Sequence, residues 1–348
     1  MHLFLTRPLA WSLSTLSLLL LASCASDAGE EMVPGAGAPN YSFIRPLHFP
    51  EPAFDLDREP ITEAGFKLGE RLFEDVRLSS TLDVSCGSCH SQAAAFADPQ
   101  HAVSIGVDNR AGTRNAPQLS NLAFSREFFW DGGVTHLDFV PTVALEAFHE
   151  MDITVAEAVR RVAADASYGP MFEAAYGTDS VSGPRMMKAW SQYVRRMVSA
   201  TSAYDKYVLG IDGATLSADQ LRGRDAFERA CASCHAGQLF TDHSYRNNGL
   251  DSVHRDPGRE LITEDPRDRG RFRVPSLRNV ERTAPYMHDG RFGSIAEVIR
   301  HYRFGIRESA TLDAGLRDGV TLTDDEAADI EAFLLTLTDW DFIRDPMF

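Results

Sequence analysis

The stretch "SADQLRGRDAFERACASCH", residues 217–235, joins a helix start to two cysteines and a histidine. Ser217 is followed three residues later by Gln220, which is the capping-box pattern, so a helix is predicted to begin here and to run into the cysteines. The final C-x-x-C-H is the attachment signature of c-type haem, in which both thiols bond to the haem and the histidine binds its iron. A structural or zinc-binding C-x-x-C pair is the competing interpretation.

The same pattern occurs a second time, as "CGSCH" at residues 86–90. The two copies use four of the five cysteines, which leaves Cys24 alone and no pair for a disulfide. Two copies argue strongly against the zinc interpretation, so we predict two covalently bound haem c groups, each with two cysteines and a proximal histidine. The residues are Cys86, Cys89 and His90 for the first haem, and Cys231, Cys234 and His235 for the second.

Helix signals surround both motifs, whereas strand signals are nearly absent. In "ITEAGFKLGERLFED", residues 61–75, apolar side chains recur near helical spacing after Thr62, a candidate N-cap. Capping-box patterns also begin at Thr154, Ser294 and Thr323. We predict a mostly α fold with two cytochrome-c-like haem domains and a C-terminal segment that packs back on the first domain. The predicted domains are residues 51–208, with the first motif, and residues 209–348, with the second.

The N-terminus is predicted to direct export. Arg7 precedes the apolar run "LAWSLSTLSLLLLA", residues 9–22, which is short for a membrane span and typical of a signal peptide. The run leads into "LASC", so residues 1–23 resemble a lipoprotein signal that leaves Cys24 lipidated; a plain secretory signal is the alternative. Residues 24–50 are predicted to be a flexible tether. The expected location is the periplasm, lipid-anchored to a membrane, with the outer membrane favoured.

The charge balance bears on the partners. The formal net charge is -16, so a nucleic-acid partner is excluded, because phosphate binding needs a basic surface. An acidic protein can attract a basic protein partner by electrostatic steering. A solvated acidic surface that aids solubility explains the same charge.

Seven segments together resemble the bacterial di-haem cytochrome c peroxidase family, which includes MauG. The resemblance covers roughly residues 45–340 and implies that peroxide reacts at the first haem, while the second transfers electrons or stores charge. The segments are "SCGSCHSQAAAFAD" (85–98), "GTRNAPQLSNLAF" (112–124), "FFWDGG" (128–133), "HEM" (149–151), "CASCHAGQLFTD" (231–242), "VPSLRNV" (274–280) and "TAPYMHDGRF" (283–292).

The resemblance also implies roles for individual side chains. Trp130 in "FFWDGG" matches the tryptophan between the haems, which can relay an electron; a buried aromatic of the core is the alternative. Glu150 in "HEM" matches the acid beside the first haem, which moves the proton when peroxide is cleaved. Glu146 lies one helical turn earlier and is the competing carboxylate.

A calcium ion and a dimer are further expectations of the resemblance. Asn115, with the carbonyls of Thr283 and Pro285, matches the calcium site of the family, and oxygen ligands suit this cation. From the residues alone these are ordinary loop elements. Members of the family are often dimers, so a homodimer is also expected. The arginines of "RDRGRFRVPSLR", residues 267–278, either pair with haem propionates or form a solvated loop.

Near the first haem the sequence departs from the family pattern at two positions. The usual second histidine ligand corresponds to Val107, which cannot bind iron, so the first haem is expected to be open to peroxide without reductive activation. His101 is the fallback ligand. By the same resemblance, a distal glutamine of the family corresponds to Val140.

The third departure concerns the second haem. "SIAEVIRHY", residues 294–302, is predicted to form a helix, and at about 100° per residue Val298 and Ile299 share a face with Tyr302. His301 falls to the side of that face. Tyr302 also occupies the position where the family usually has a methionine as sixth ligand of the second iron. An anionic phenolate favours higher oxidation states than a thioether does.

Two other residues are alternative candidates for the sixth ligand of the second haem. Met287 and His288 lie in a turn flanked by Gly and Pro, and the helix argument does not exclude either residue. A buried Tyr302 that only packs in the core is the further alternative.

These features lead to one main function and two alternatives. The main prediction is an enzyme that reduces hydrogen peroxide with electrons from a small periplasmic redox protein, a cytochrome c or a cupredoxin. The first alternative is a MauG-like oxidase that uses peroxide to modify a partner protein. The second is a di-haem electron carrier with no enzymatic activity.

Overall fold

The computed structural model describes residues 40–56 and 58–348, so the predicted signal peptide and Cys24 lie outside the described residues. Within them the mostly α prediction is confirmed, and no helix there is long and apolar enough to cross a membrane. The helices before residue 215 are α1 (Glu63–Phe73), α2 (Cys86–Cys89), α3 (Val140–Glu146), α4 (Val155–Ala164), α5 (Gly169–Tyr176), α6 (Gly183–Arg195) and α7 (Ala203–Leu209).

The second half of the chain contains the remaining helices and a small antiparallel sheet. The two strands are each two residues long, and Tyr245 pairs with Arg273. The helices are α8 (Ala218–Ala230), α9 (Glu260–Thr263), α10 (Ile295–Arg300), α11 (Asp324–Leu335) and α12 (Trp340–Ile343), and the strands are β1 (Tyr245–Arg246) and β2 (Phe272–Arg273).

In the first half, α1 crosses α6 at close range. The Thr62 hydroxyl accepts a hydrogen bond from the Gly65 N–H and caps α1, as predicted. Phe66 and Phe73 are buried on the inner face of α1. A Cβ at Gly69 would lie 2.0 Å from the Ala189 carbonyl oxygen, so a glycine is required where the two helices touch.

In the second half, α8 and α11 repeat this arrangement. Both helices begin with the predicted capping box, at Ser217 and at Thr323. A Cβ at Gly223 would lie 1.8 Å from the Asp329 carbonyl oxygen, so this crossing also depends on a glycine. Phe227 of α8 and Phe333 of α11 form the aromatic centre of the second core.

The C-terminal segment packs on the first domain, which confirms the prediction. Phe342 and Ile343 belong to the core cluster that contains Phe66 and Phe96. The ring of Phe348 lies 5.7 Å from that of Phe96 and 6.0 Å from that of Phe66. Residues from the last seven positions of the chain therefore complete a core that began with α1.

Residues 40–50, the end of the stretch predicted to be a tether, contact the rest of the protein at His48 and Phe49. Phe49 is 2% exposed, and its ring lies 5.2 Å from that of Phe124. The His48 Nε2 lies 2.9 Å from the Asp205 Oδ1. The Gly and Pro content of residues 24–50 suggested flexibility, but the aromatic side chains at the end of this stretch bury apolar surface.

Candidate functional site

The first C-x-x-C-H motif opens into a cavity of about 1130 Å³. The short helix α2 carries the two cysteines, and His90 follows it directly. The His90 Nδ1 donates to the Phe96 carbonyl oxygen at 2.7 Å, which leaves Nε2 free to bind a metal. Burial lowers the pKa of His90, so the ring is held in the neutral, ligand-competent form. Cys86 and Cys89 line the same cavity.

The second motif has the same construction around a cavity of about 280 Å³. His235 follows the second cysteine pair, and its Nδ1 donates to the Phe240 carbonyl oxygen at 3.1 Å. Burial lowers the pKa of His235 as well. Cys231 and Cys234 line this cavity. Each motif therefore presents two thiols and one oriented imidazole to an internal space.

Arg273 tests whether these cavities suit haem. The side chain is partly buried, borders both cavities, and donates through Nε to the Phe129 carbonyl oxygen at 3.3 Å. No carboxylate in the described part of the chain forms a salt bridge with it, and burial lowers its pKa. A buried guanidinium requires an anionic partner. Haem carries two propionates, so the residues present fit this group.

Trp130 lies between the two cavities and lines both of them. Its indole N–H donates to the Asn115 carbonyl oxygen at 2.8 Å. Its own carbonyl oxygen accepts from the Arg273 backbone N–H at 2.8 Å. The Trp130 ring is therefore held between the two motifs. This position suits an electron relay, whereas an aromatic that only fills the core would not need to border both cavities.

The two candidate carboxylates have different surroundings. Glu150 lines the first cavity, and burial raises the pKa of its carboxyl to about 7. Glu146 is exposed, and its Oε1 accepts from the Val155 backbone N–H at 3.3 Å at the start of α4. Glu146 is not among the residues that line the cavity. The geometry therefore favours Glu150 as the acid–base group.

Comparisons with known proteins agree with this arrangement. A family model described as di-haem cytochrome c peroxidase matches residues 63–213, and a cytochrome c model matches residues 220–338. The methylamine utilization protein MauG of Methylorubrum extorquens is 32% identical over 322 residues, which cover 91% of this chain and 88% of that protein. The chain belongs to the di-haem cytochrome c peroxidase and MauG family.

Two further relatives support this family and its activity. The cytochrome c551 peroxidase of Nitrosomonas europaea is 31% identical, with 78% of this chain and 79% of the relative covered. A solved structure described as a MauG-like protein associated with microbial copper homeostasis is 34% identical, with a TM-score of 0.81 and coverage of 87% of this chain and 97% of that one. The chain is therefore an oxidoreductase, a di-haem peroxidase with two cytochrome-c-type domains.

In this di-haem peroxidase the loop near the first motif directs no histidine at the first cavity. Val107 is 0% exposed and does not line the cavity. The His101 Nδ1 lies 2.9 Å from the Asp98 Oδ2, and the His101 ring lines neither cavity. Val140 does line the first cavity, where it adds apolar surface.

Near the second motif, α10 continues as a π-helical turn over His301–Gly305. Tyr302 lines the second cavity, and burial raises the pKa of its phenol to about 12, while the Asn248 side chain acts in the opposite direction. His301 is buried outside that cavity, and its Nε2 lies 2.9 Å from the Asn248 carbonyl oxygen. Tyr302 therefore faces the second cavity and His301 does not, as expected from the apolar face of the predicted helix.

Met287 and His288 also line the second cavity. The Met287 sulfur accepts from the Asn248 side-chain amide at 3.4 Å. The His288 ring stacks on Phe272, with 3.7 Å between the ring centroids, and is held in place by that contact. Of the two, Met287 is the stronger competitor of Tyr302.

The three residues assigned to calcium by resemblance border the same cavity. Asn115, Thr283 and Pro285 all line the second cavity. The Asn115 side-chain amide donates to the Ala102 carbonyl oxygen at 3.2 Å, so the amide is already oriented by one backbone contact.

Asn248 is a residue that sequence reasoning missed. It lines both cavities and contacts Met287 and His301 through its amide and its carbonyl. Its side chain also acts on Tyr302. An asparagine in a loop carries no motif, so no sequence signal identifies it before the loop is folded.

Proposed function

We propose that this protein reduces hydrogen peroxide to water at the first haem without prior reductive activation. The observation that carries the proposal is the first cavity, which offers Glu150 and an oriented His90 and is lined by neither Val107 nor His101. Bound at this site, haem supplies the iron that binds peroxide and exchanges electrons with it. The balance is one peroxide, two electrons and two protons to two waters.

The residues of the chain have distinct tasks in this reaction. Glu150 takes a proton from peroxide and returns it to the oxygen that leaves as water, for which a pKa near the working pH is suitable. Trp130 relays electrons between the two haem sites. Tyr302 is proposed as sixth ligand of the second iron, and Arg273 as a partner of haem propionates.

The remaining proposals concern calcium, location and partners. Asn115, with the carbonyls of Thr283 and Pro285, is proposed to hold calcium. We also propose a periplasmic location with a lipid on Cys24, a small redox protein as electron donor, and a homodimer. These proposals rest on the resemblance and on the N-terminal sequence pattern.

A MauG-like modification of a partner protein is the second candidate. Two relatives with 30% and 32% identity are named MauG, and Tyr302 lines the second cavity. A tyrosine ligand would make the second haem a poor reservoir for a reducing electron and better suited to oxidising equivalents.

One experiment separates the two candidates. The as-isolated holoprotein is mixed with peroxide, either with reduced cytochrome c or with proteins encoded by neighbouring genes. The proposed function predicts rapid oxidation of cytochrome c without a pre-reduction step. Slow turnover together with a peroxide-dependent mass change in a partner would instead support the MauG-like activity.

A further inference from the structure

A small hairpin, residues 104–112, lies against the segment that carries Glu150; we call it the distal loop. Its ends are joined by the Gly112 N–H, which donates to the Ser104 carbonyl oxygen at 2.8 Å, and by the bridge between Ile105 and Ala111. At the tip, the Gly106 N–H donates to the Arg110 carbonyl oxygen at 2.9 Å. The distal loop therefore has a defined shape of its own.

The distal loop contacts the backbone of Glu150 through two consecutive residues, Gly106 and Val107. A Cβ on Gly106 would lie 2.2 Å from the His149 carbonyl oxygen, 2.3 Å from the Glu150 carbonyl oxygen and 2.5 Å from the Glu150 Cα. The next residue, Val107, donates its N–H to the Glu150 carbonyl oxygen at 2.9 Å. Gly106 has a φ of -101°, which any residue can adopt, so the contact rather than the conformation requires glycine.

Glu150 is held in position by its backbone. No donor in the described part of the chain hydrogen-bonds to its carboxyl group, and burial is the sole cause of its raised pKa. Without such a partner, the position of the carboxyl depends on its side-chain rotamer and on where the backbone places the Cα. The contact between Gly106 and this backbone therefore helps to set the position of the Glu150 carboxyl group.

We propose that Gly106 is a positioning residue for proton transfer, because its missing side chain lets the distal loop dock on the backbone of Glu150 and hold the carboxyl in the first cavity. This proposal rests on the proposed role of Glu150. The same docking keeps Val107 buried. The distal loop therefore contacts the backbone of Glu150 and offers no ligand to the first haem.

The test compares Gly106→Ala with Gly112→Ala in the holoprotein. A Cβ at position 112 meets the Ser104 hydroxyl, a side-chain group that can rotate away, so this variant is the matched control. A displacement of about 1 Å at a reacting group costs up to about 100-fold in rate. Gly106→Ala should therefore lower kcat/KM for peroxide at least about 10-fold, and Gly112→Ala should stay near wild type.

A second comparison shows whether the effect passes through Glu150. In a Glu150→Gln background, Gly106→Ala should cause no further loss, because the positioned group is already gone. A readout without turnover is the infrared carboxyl band that Glu150→Gln removes. Its titration midpoint should move below about 7 in Gly106→Ala, since a displaced carboxyl regains solvent.

Two results would overturn the proposal. An unchanged kcat/KM and an unchanged midpoint in folded Gly106→Ala holoprotein would refute it, and so would an equal loss in the Glu150→Gln background. If Gly106→Ala holoprotein does not accumulate, Val107→Pro removes the N–H donor without adding a Cβ at position 106, and the same criteria apply. A Glu150→Gln variant with wild-type rate would instead reject the proposed function of Glu150.

Discussion

Two glutamates four residues apart show how environment assigns chemical roles. Glu150 lines the first cavity, where removal from water raises its pKa to about 7. Glu146 is exposed and bonds to the backbone at the start of α4. From the sequence, the family resemblance favours Glu150 and leaves Glu146 as the competing carboxylate, because helical spacing alone does not show which side chain enters the cavity.

Glu150→Gln should slow the reaction with peroxide by about 100-fold to 10,000-fold, the range for loss of a general acid–base group. The measurement is the rate of peroxide consumption by ferric holoprotein in a stopped-flow instrument. Glu146→Gln is the control and should remain within about twofold of wild type. Equal effects of both substitutions would contradict the assignment.

The same reaction should depend on pH in a defined direction. The raised pKa means that Glu150 is protonated below about pH 7 and cannot accept the proton of peroxide. The rate should therefore rise as the pH increases from 5 to 8, with a midpoint near 7. A Glu150→Gln profile that keeps this midpoint would assign the titration to another group.

At the scale of elements, helix starts were more predictable than helix ends. The capping boxes at Ser217, Ser294 and Thr323 begin helices as the sequence indicates. The π-helical turn His301–Gly305 could not be predicted, because it depends on packing after α10 has formed. Such turns are frequent at functional sites, and this one includes Tyr302.

Tyr302→Phe should change the low-spin EPR signal of the ferric holoprotein, because a phenyl ring cannot bind iron. His301→Gln is the control and should leave that signal in place, since His301 bonds to the Asn248 carbonyl outside the cavity. An unchanged spectrum of Tyr302→Phe would make Met287 the better candidate ligand.

Helix α12 and the residues after it are stabilised by the first domain. Phe342 is 5% exposed and contacts Phe96, with 5.8 Å between the ring centroids. Phe342→Ala should lower the free energy of unfolding by about 3–5 kcal/mol, as for other large-to-small core substitutions. Phe304 is 73% exposed, so Phe304→Ala should change the free energy of unfolding by less than about 0.5 kcal/mol in the same denaturation experiment.

At the scale of the whole molecule, one buried ion pair joins distant parts of the chain. Arg278 and Asp205 are 0% and 1% exposed, and both guanidinium Nη atoms donate to the carboxylate at 2.8 Å. His48 of the N-terminal segment contacts the same carboxylate. Burial alone would raise the pKa of Asp205, but the hydrogen bonds from His48 and Arg278 hold it well below its usual range.

Asp205→Asn should destabilise the holoprotein by about 3–5 kcal/mol, because it leaves the Arg278 charge buried without a partner. Asp341→Asn removes an exposed pair with Lys206 and should cost less than about 1 kcal/mol. Denaturation of both variants at neutral pH provides the measurement. The contribution of Asp205 should persist above its unfolded pKa and disappear as the pH falls through the lower folded value. Similar costs for the two variants would refute this account.

The haem motifs and the mostly α fold were predictable because both haem attachment and helix periodicity depend on residues that are close together in the sequence. The surroundings of Asp205 were not, since His48, Asp205 and Arg278 lie far apart in the sequence and no pattern links the three residues. The contacts at the end of the predicted tether were not predictable for the same reason. The partners of Tyr41 and Phe49 become visible only in the folded chain.

The place of Phe342 and Phe348 in the first core also has a consequence for the timing of synthesis. Chains emerge from the ribosome N-terminus first. Phe66 and Phe96 therefore emerge well before their partners Phe348 and Phe342. The core of the first domain is therefore completed only after the second haem motif has been translated.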